Sequence, residues 1–209
     1  MKKLNSHKRT YNFFKRFFDI ICSFFAIVVL SPVYIILGVI VKCTSKGPVF
    51  YSHKRIGKNG KEISVIKFRS MVKNADKMID TFSEEQKKEF KENFKLQNDP
   101  RVTKFGKLLR KTSLDELPQL FNIFTGNISI VGPRPITQEE TLLYGENRDL
   151  LLSVKPGLTG LWAINGRSSI TYNKRIELEL QYVNECSFWY DFKIIFKTII
   201  PVFKGHGAK

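Results

Sequence analysis

The sequence predicts an α+β protein that is mainly helical, with an N-terminal re-entrant membrane helix, a small β-hairpin and interfacial amphipathic helices. Three observations support this fold class: an uncharged run of 22 residues that contains a proline, two β-prone runs joined by an Asn-Gly turn, and helical spacing of apolar residues in several later segments. With 209 residues, 43% of them hydrophobic, the chain is long and apolar enough to bury a core.

The charge balance of the chain narrows its partners. It has 35 Lys and Arg against 19 Asp and Glu, a formal charge of +16, which suits either nucleic acid or an anionic membrane surface. The uncharged run favours the membrane, because a nucleic-acid-binding domain has no use for such a segment. The three cysteines and the three histidines share no short spacing, which argues against a zinc site, a CxxC redox site and a disulfide framework.

The uncharged run lies at residues 20–41 and, at about 33 Å as a helix, is long enough to cross a bilayer. Both flanks are basic, with six Lys or Arg before the run and nine in the stretch after it, so the positive-inside rule asks for both ends to be cytoplasmic. Pro32, which follows Ser31 in the middle of the run, removes a backbone donor and bends the helix. We therefore predict a re-entrant helix with arms at residues 20–30 and 33–41, and a kinked spanning helix remains the alternative.

A cleaved signal peptide would also place basic residues before an apolar stretch. Residues 41–47 contain no small-x-small cleavage pattern, so we expect the segment to stay in the mature protein. The chain is therefore expected to consist of a basic N-terminus with the re-entrant helix at residues 1–45 and a second domain at residues 46–209.

Local patterns predict the elements that follow. Residues 49–56 and 62–69 are β-prone and are separated by a turn in which Asn59 and Gly60 can adopt positive φ, which is a hairpin signal. Helical spacing then predicts helices at residues 83–95, with Ser83 and Gln86 as a capping box, and at residues 117–124, 175–183 and 189–204.

The last of these helices is apolar and aromatic but has a lysine edge. Lys193, Lys197 and Lys204 fall within about 40° of one another on a helical projection. This pattern is typical of an interfacial amphipathic helix whose lysines reach toward lipid phosphates. A core helix with a lysine edge fits the same pattern, and the spacing alone leaves both open.

The densest polar cluster, at residues 98–119, carries the candidate chemistry. Its adjacent carboxylates, Asp115 and Glu116, follow Arg110 and a lysine and precede a predicted helix. Nearby cations and the positive end of the helix dipole keep an aspartate ionised at neutral pH, and an ionised aspartate can attack phosphorus to form an acyl phosphate. A structural role is the alternative, because Ser113-x-x-Glu116 is also a capping-box pattern.

Chemistry on a diphosphate also requires charge neutralisation. The candidate phosphate ligands are the guanidinium groups of Arg69, Arg110 and Arg134, each of which can bind two phosphate oxygens as a fork. A magnesium ion held by carboxylates and substrate is the candidate cofactor. Two Pro/Gly-rich turns, at residues 131–135 and 155–160, are further candidates because such loops often place functional groups.

Motifs spread along almost the whole chain resemble those of the small bacterial sugar transferases, also called monotopic phosphoglycosyl transferases. The matching segments are Lys15-Arg16-Phe17-Phe18-Asp19, Leu30-Ser31-Pro32, Thr44 to Phe50, Lys67-Phe68-Arg69-Ser70-Met71, Arg110 to Leu120, Val131 to Pro135 and Pro156 to Gly160. Several motifs in the same order are a stronger signal than any one of them.

The resemblance implies a reaction and a location. A sugar 1-phosphate would pass from a UDP-sugar to undecaprenyl phosphate at the cytoplasmic face of the bacterial inner membrane, with release of UMP, as the first step of surface glycan assembly. Residues 46–209 would be the catalytic domain on that face. By this resemblance Asp115 would be the covalent nucleophile and the magnesium contact, and Glu116 would be its partner in an acidic dyad. Arg110 would bind the donor phosphate, and Val131 to Pro135, with Pro133 and Pro135, would form a loop near the nucleotide. Ser31-Pro32 would be the break of the membrane helix.

Two departures from the family pattern limit what it implies. Only 19 residues precede Ile20, so we expect a minimal form or a catalytic core, and Ala163 stands where many hexose-transferring relatives have Gln, which leaves the sugar open. The expected partners are the UDP-sugar, the polyprenyl phosphate, membrane lipids, and downstream glycosyltransferases or a second copy of the chain, with no nucleic acid. The alternative function is a catalytically silent basic membrane adaptor that binds anionic lipid or a partner enzyme.

Overall fold

The computed structural model describes residues 2–93, 96, 98–167 and 169–204, and the side chains of residues 9–90, 96, 98–167 and 169–199. The fold is mainly helical with a small two-strand antiparallel sheet, which confirms that part of the predicted fold class. The described elements are α1 (Lys2–Val29), α2 (Ser31–Thr44), β1 (Phe50–Ile56), β2 (Glu62–Phe68), α3 (Glu84–Asn93), α4 (Lys104–Thr112), α5 (Gln119–Thr125), β3 (Ser129–Val131), α6 (Gln138–Thr141), α7 (Arg148–Leu152), β4 (Gly157–Thr159), α8 (Leu161–Ile164), α9 (Tyr172–Glu185) and α10 (Phe188–Lys204).

The four helices predicted after the hairpin are confirmed as α3, α5, α9 and α10, with ends that shift by a few residues. The capping box of α3 is present, since the Ser83 amide donates to the Gln86 side chain and the Gln86 amide donates to the Ser83 hydroxyl. The predicted end of this helix at residues 94 and 95, and the Lys204 side chain of α10, lie outside the described residues.

The uncharged run breaks where the sequence predicts. α1 ends at Val29 and α2 begins at Ser31, with Pro32 in its first turn, where a proline removes no hydrogen bond that the helix needs. Among the described residues no single helix has the length and hydropathy to cross a bilayer, whereas the pair Arg9–Val29 and Ser31–Thr44, bent by 63°, meets those criteria together.

α1 turns its apolar side outward and its polar side inward. Nine large apolar side chains between Phe13 and Val29 are exposed, while Asp19 is only 2% exposed. The Asp19 carboxylate accepts hydrogen bonds from the Ser129 hydroxyl at 3.1 Å and the Ile130 amide at 3.0 Å. Polar contacts therefore join this part of the helix to the rest of the chain, while its apolar side chains stay exposed.

The predicted hairpin is confirmed. β1 pairs with β2 in antiparallel register, and the turn between them contains Asn59 at φ 59° and Gly60 at φ 76°. These positive φ values are what the Asn-Gly pair was expected to supply.

A second sheet, formed by the parallel pair β3 and β4, was not predicted. Each strand has three residues, too few to produce a periodic pattern. The two Pro/Gly-rich turns meet here backbone to backbone, because a Cβ atom on Gly157 would lie 2.1 Å from the Gly132 amide nitrogen. The glycines thus allow the contact that joins the two turns.

α2 packs into the core of the following domain. Leu37 and Val41 of α2 form a buried cluster with Phe68 of β2 and Leu109 of α4. α10 is different, because it buries Ile194 but exposes Trp189, Phe196 and Ile199 together with Lys193 and Lys197. Its exposed face therefore carries both apolar and basic side chains, and its role at an interface stays a prediction.

Candidate active site

The Asp115 segment lies between two helices. α4 ends at Ser113, which has a positive φ of 58°, and a 3₁₀ turn at Leu114–Glu116 leads toward α5. The Ser113 amide donates to the Arg110 carbonyl at 3.0 Å, and the Glu116 carboxylate instead accepts from Lys67. The capping-box alternative for Ser113 and Glu116 is therefore wrong, because Ser113 precedes the 3₁₀ turn without a capping hydrogen bond made by its side chain.

Asp115 is buried, at 7% exposed. Burial raises the pKa of its carboxyl to about 6, against the opposing charges of Lys67 and Arg110, and the neighbouring Glu116 charge raises it further. The carboxyl is thus ionised at neutral pH, as the sequence predicts, but by a smaller margin than the helix-dipole argument suggests. Exposure as a first-turn acid, the other alternative for Asp115, is also wrong.

Glu116 is held by an ion pair. Lys67 Nζ lies 2.6 Å from Glu116 Oε1, and both side chains are about one third exposed or less. Burial alone would raise the pKa of Glu116, but the Lys67 charge and hydrogen bond, with Arg167 and Arg134, hold it below its usual value. Glu116 is therefore an anion beside Asp115.

Arg110, one of the predicted phosphate-binding arginines, lies near the Asp115–Glu116 dyad. Its Nε donates to the Ser70 hydroxyl at 2.9 Å. Burial lowers the pKa of Arg110, and the Asp115 charge opposes that shift. Ser70 thus fixes one edge of the guanidinium, within the electrostatic reach of Asp115.

Arg69 takes a different position. Its Nη2 donates to the Ser45 carbonyl at 2.7 Å and the Ser45 hydroxyl at 2.8 Å, just after α2. Its Nη1 is buried without a hydrogen-bond partner among the described residues, against Gly47, where a Cβ atom would lie 2.3 Å away. Arg69 therefore binds the segment that joins α2 to β1, and its predicted role toward phosphate stays a prediction.

Arg134 lies in a second polar cluster beside the dyad. Its Nη1 lies 2.7 Å from Glu140 Oε1, and Glu140 Oε2 lies 2.9 Å from Arg55 Nη1. The backbone amide of Arg134 donates to Glu179 at 3.2 Å. Pro133 precedes Arg134, and its carbonyl accepts from the Gly157 amide at 2.8 Å. Pro135 follows Arg134 in the same loop. This loop is thus held to α6, α9 and β4.

Sequence reasoning missed two cations of the site, Lys67 and Arg167. Lys67 lies in β2, one residue before the end of the strand, and its contact with Glu116 spans 49 residues. Arg167 has a positive φ of 51° and donates to the Ser113 hydroxyl at 3.1 Å, a contact across 54 residues that no local pattern announces.

The magnesium prediction can be tested against the donor set. The described residues contain no group of three His, Cys, Asp or Glu side chains that would hold a metal by themselves. Asp115 has no ion-pair partner within 4.0 Å in the described chain, since Lys67 pairs with Glu116. Mg²⁺ is commonly bound by one or two carboxylates together with substrate phosphates, so the dyad fits an ion shared with a substrate and not an all-protein site.

Comparison with known proteins gives consistent matches along the chain. The model of the family described as bacterial sugar transferase matches residues 10–205. The chain is 42% identical over 207 residues to the undecaprenyl-phosphate galactose phosphotransferase of Salmonella typhimurium, covering 98% of this chain and 43% of that protein. It is 43% identical over 197 residues to the exopolysaccharide production protein ExoY of Rhizobium meliloti, covering 93% and 87%.

A third relative has a more specific name. The chain is 45% identical over 207 residues to the UDP-glucose:undecaprenyl-phosphate glucose-1-phosphate transferase of Klebsiella pneumoniae, covering 93% of this chain and 41% of that protein. The chain thus spans less than half the length of the Salmonella and Klebsiella relatives and most of the length of the Rhizobium one.

Proposed function

This chain belongs to the bacterial sugar transferase family, and from that premise we propose that it transfers a sugar 1-phosphate from a UDP-sugar to undecaprenyl phosphate and releases UMP. The Salmonella and Klebsiella relatives are named for transfer of this kind. The observation that carries the mechanism is the buried Asp115 carboxylate, which has no ion-pair partner in the described chain and lies in the fields of Lys67 and Arg110.

The proposed reaction has two displacements at one phosphorus. An Asp115 carboxylate oxygen attacks the phosphorus that carries the sugar, a bond to Asp115 forms, and UMP leaves with the bridging oxygen. A phosphate oxygen of undecaprenyl phosphate then attacks the same phosphorus and breaks the bond to Asp115, which restores the carboxylate. Burial of Asp115 keeps water from the acyl phosphate between the two steps.

The residues around Asp115 divide the remaining work. Lys67 keeps Glu116 ionised, and the Glu116 charge makes Asp115 more basic while leaving it ionised at neutral pH. Arg110, fixed by Ser70, supplies positive charge for the donor phosphates. Asp115 would hold Mg²⁺ together with the substrate, and a bound Mg²⁺ supplies charge neutralisation to the diphosphate.

We also propose that the chain works at the cytoplasmic face of the bacterial inner membrane, with α1 and α2 as a re-entrant anchor. The outward apolar face of α1 supports this, as do the exposed Ile35, Ile36 and Val39 of α2. The Tyr34 hydroxyl of α2 donates to the Leu117 carbonyl at 2.6 Å, directly after the dyad. This contact couples the anchor to the site, as the transfer of a soluble donor to a lipid acceptor requires.

The product would be the first lipid-linked sugar of a surface glycan. The relative named for exopolysaccharide production supports this setting, because lipid-linked sugars start such polymers. A silent membrane adaptor is less well supported, since Asp115 and Glu116 lie together with Lys67 and Arg110, which an adaptor does not need.

The test of the proposed function is turnover by the detergent-solubilised chain. With Mg²⁺, a panel of UDP-sugars and a polyprenyl phosphate, we expect UMP release from the wild-type chain and none from Asp115→Asn. Asp149→Asn is the matched control, because it makes the same change at an exposed acid in the first turn of α7. Without acceptor, the Asp115 peptide should gain the mass of the phosphosugar.

Two outcomes would contradict this proposal. UMP release that survives Asp115→Asn would exclude the covalent role of Asp115. Absence of turnover with every UDP-sugar, together with tight binding to anionic liposomes, would favour the adaptor.

A further inference from the structure

The amino-terminal end of α9 combines several positively charged features. The Thr171 hydroxyl caps the helix by accepting from the Lys174 amide. One turn in, Arg175 is only 8% exposed, and its guanidinium carbon lies 5.2 Å from the ring centre of Tyr172, the first residue of the helix. The Arg175 charge therefore lies at the end of α9 where the helix dipole is also positive.

Arg175 has no ion-pair partner within 4.0 Å in the described part of the chain. Its Nε is buried without a hydrogen-bond partner, and none of the ion pairs among the described residues includes it. A buried guanidinium nitrogen in this state is costly, because its lost hydration is not replaced.

The charges around Arg175 do not balance either. Arg55, Arg134 and Arg175 face two buried carboxylates, Glu140 and Glu179. A third carboxylate near Arg55, that of Glu139, is exposed to solvent, so the balance that matters is the one among the buried groups. Glu140 is shared between Arg55 and Arg134. Burial raises the pKa of Glu179 to about 7, with the Tyr144 hydroxyl and Arg134 opposing that shift, so at neutral pH this carboxyl supplies only part of a negative charge. The cluster therefore carries at least one positive charge in excess.

One member of the cluster reaches the dyad. The Arg134 charge helps to hold down the pKa of Glu116. Burial lowers the pKa of Arg175 and the Arg134 charge lowers it further, so Arg134 links Arg175 to the site. A helix amino terminus together with guanidinium groups is the usual setting for phosphate, because both favour an anion with several acceptor oxygens.

We propose that Arg175, Arg134 and the amino-terminal end of α9 form a binding site for a phosphate monoester, and that its ligand is the phosphate of the nucleotide that leaves as UMP. This inference rests on the proposed function, which supplies a nucleotide phosphate next to the dyad. It assigns Arg175 a role that the sequence-predicted forks did not include.

A phosphate-binding Arg175 and a purely structural Arg175 differ in the thermal stability expected after replacement. Met has a similar length and no charge, so Arg175→Met removes a buried cation that has no close ion-pair partner and should leave the Tm of the ligand-free chain unchanged or raise it. An arginine retained for structure would lower the Tm when replaced. UMP should raise the Tm of the wild-type chain, because it binds only the folded state, and should not raise that of Arg175→Met.

The experiment measures thermal unfolding and calorimetric binding with the full chain in detergent. The probes are UMP, uridine and a short prenyl phosphate. We expect Arg175→Met to weaken UMP binding about ten- to a hundredfold and to leave uridine binding unchanged. Lys174→Met is the matched control, because it removes the same charge from an exposed neighbour that pairs with Glu177.

The outcomes separate this inference from the proposed function. Wild-type UMP affinity in Arg175→Met, a lowered Tm without loss of UMP binding, or a loss confined to prenyl phosphate would each overturn the nucleotide site. Asp115→Asn should bind UMP like the wild type while turning over no donor. If the wild-type chain binds UMP through Arg175 but transfers no sugar phosphate, the proposed function fails and the phosphate site stands.

Discussion

Removing the charge of Glu140 tests the polar cluster that holds the loop of Arg134. The Glu140 side chain is 1% exposed and faces two guanidinium groups, at 2.7 Å and 2.9 Å. Glu140→Gln keeps the shape but leaves Arg55 and Arg134 without their anion. Breaking a buried pair in this way costs about 3–5 kcal/mol. In a chain of this size each kcal/mol shifts the Tm by about 2–4 °C, so we expect the Tm to fall by roughly 6–20 °C.

The assay is thermal unfolding of the detergent-solubilised chain, followed by circular dichroism. Glu139→Gln is the control, because it makes the same change at the next residue, where the side chain is exposed. Surface changes of this kind usually stay within about 0.5 kcal/mol. A loss of stability in Glu140→Gln no larger than in Glu139→Gln would refute the claim that the buried ion pairs hold the loop.

The pH dependence of stability, compared between wild type and Glu140→Gln, tests whether the Glu140 charge is the stabilising feature. Burial raises the pKa of Glu140, but the Arg134 and Arg55 charges outweigh it, so the pKa lies below its usual value of 4.5. A carboxyl whose pKa is lowered by folding contributes stability that is fully present above the pKa of the unfolded chain. That stability is lost as the pH falls through the pKa of the folded chain. The stability difference between wild type and Glu140→Gln should therefore be constant from about pH 6 to pH 8 and shrink below about pH 4.5. A difference that stays constant into acid would show that Glu140 contributes something other than charge.

The parts of the fold that the sequence predicts are those with local signals. Pro32 has no amide hydrogen to continue a helix interior, and Asn59 with Gly60 supplies a turn that needs positive φ. The sheet of β3 and β4 has no such signal, because its strands are held by a close approach of two glycine-containing turns. The burial of Asp19 has no local signal either, because its carboxylate accepts from the Ser129 hydroxyl and the Ile130 amide, which lie 110 and 111 residues away.

The candidate site shows the same division between local and distant contacts. Asp115 and Glu116 are adjacent in the sequence, so their pairing is visible without a structure. Their environment is not, because Lys67 and Arg167 reach them from distant segments and because the positive φ of Ser113 has no sequence signal. Burial of Asp115 is a tertiary effect, and it sets a pKa that charge spacing alone would place lower.

Two further substitutions probe the turn contact and the dyad. Gly157→Ala should lower the unfolding free energy by about 1–3 kcal/mol or more in thermal unfolding, because its Cβ would meet the Gly132 amide at 2.1 Å; an unchanged Tm would contradict that packing. Lys67→Met should raise the pKa of Asp115 above about 6, since the Lys67 charge opposes its burial. An increase of one to three units would cut UMP release at pH 7 about two- to a hundredfold and move the acid limb of the pH profile upward. Lys54→Met, at an exposed pair on the same hairpin, should leave the limb in place. An equal loss at every pH would mean that Lys67 acts on binding rather than on the ionisation of Asp115.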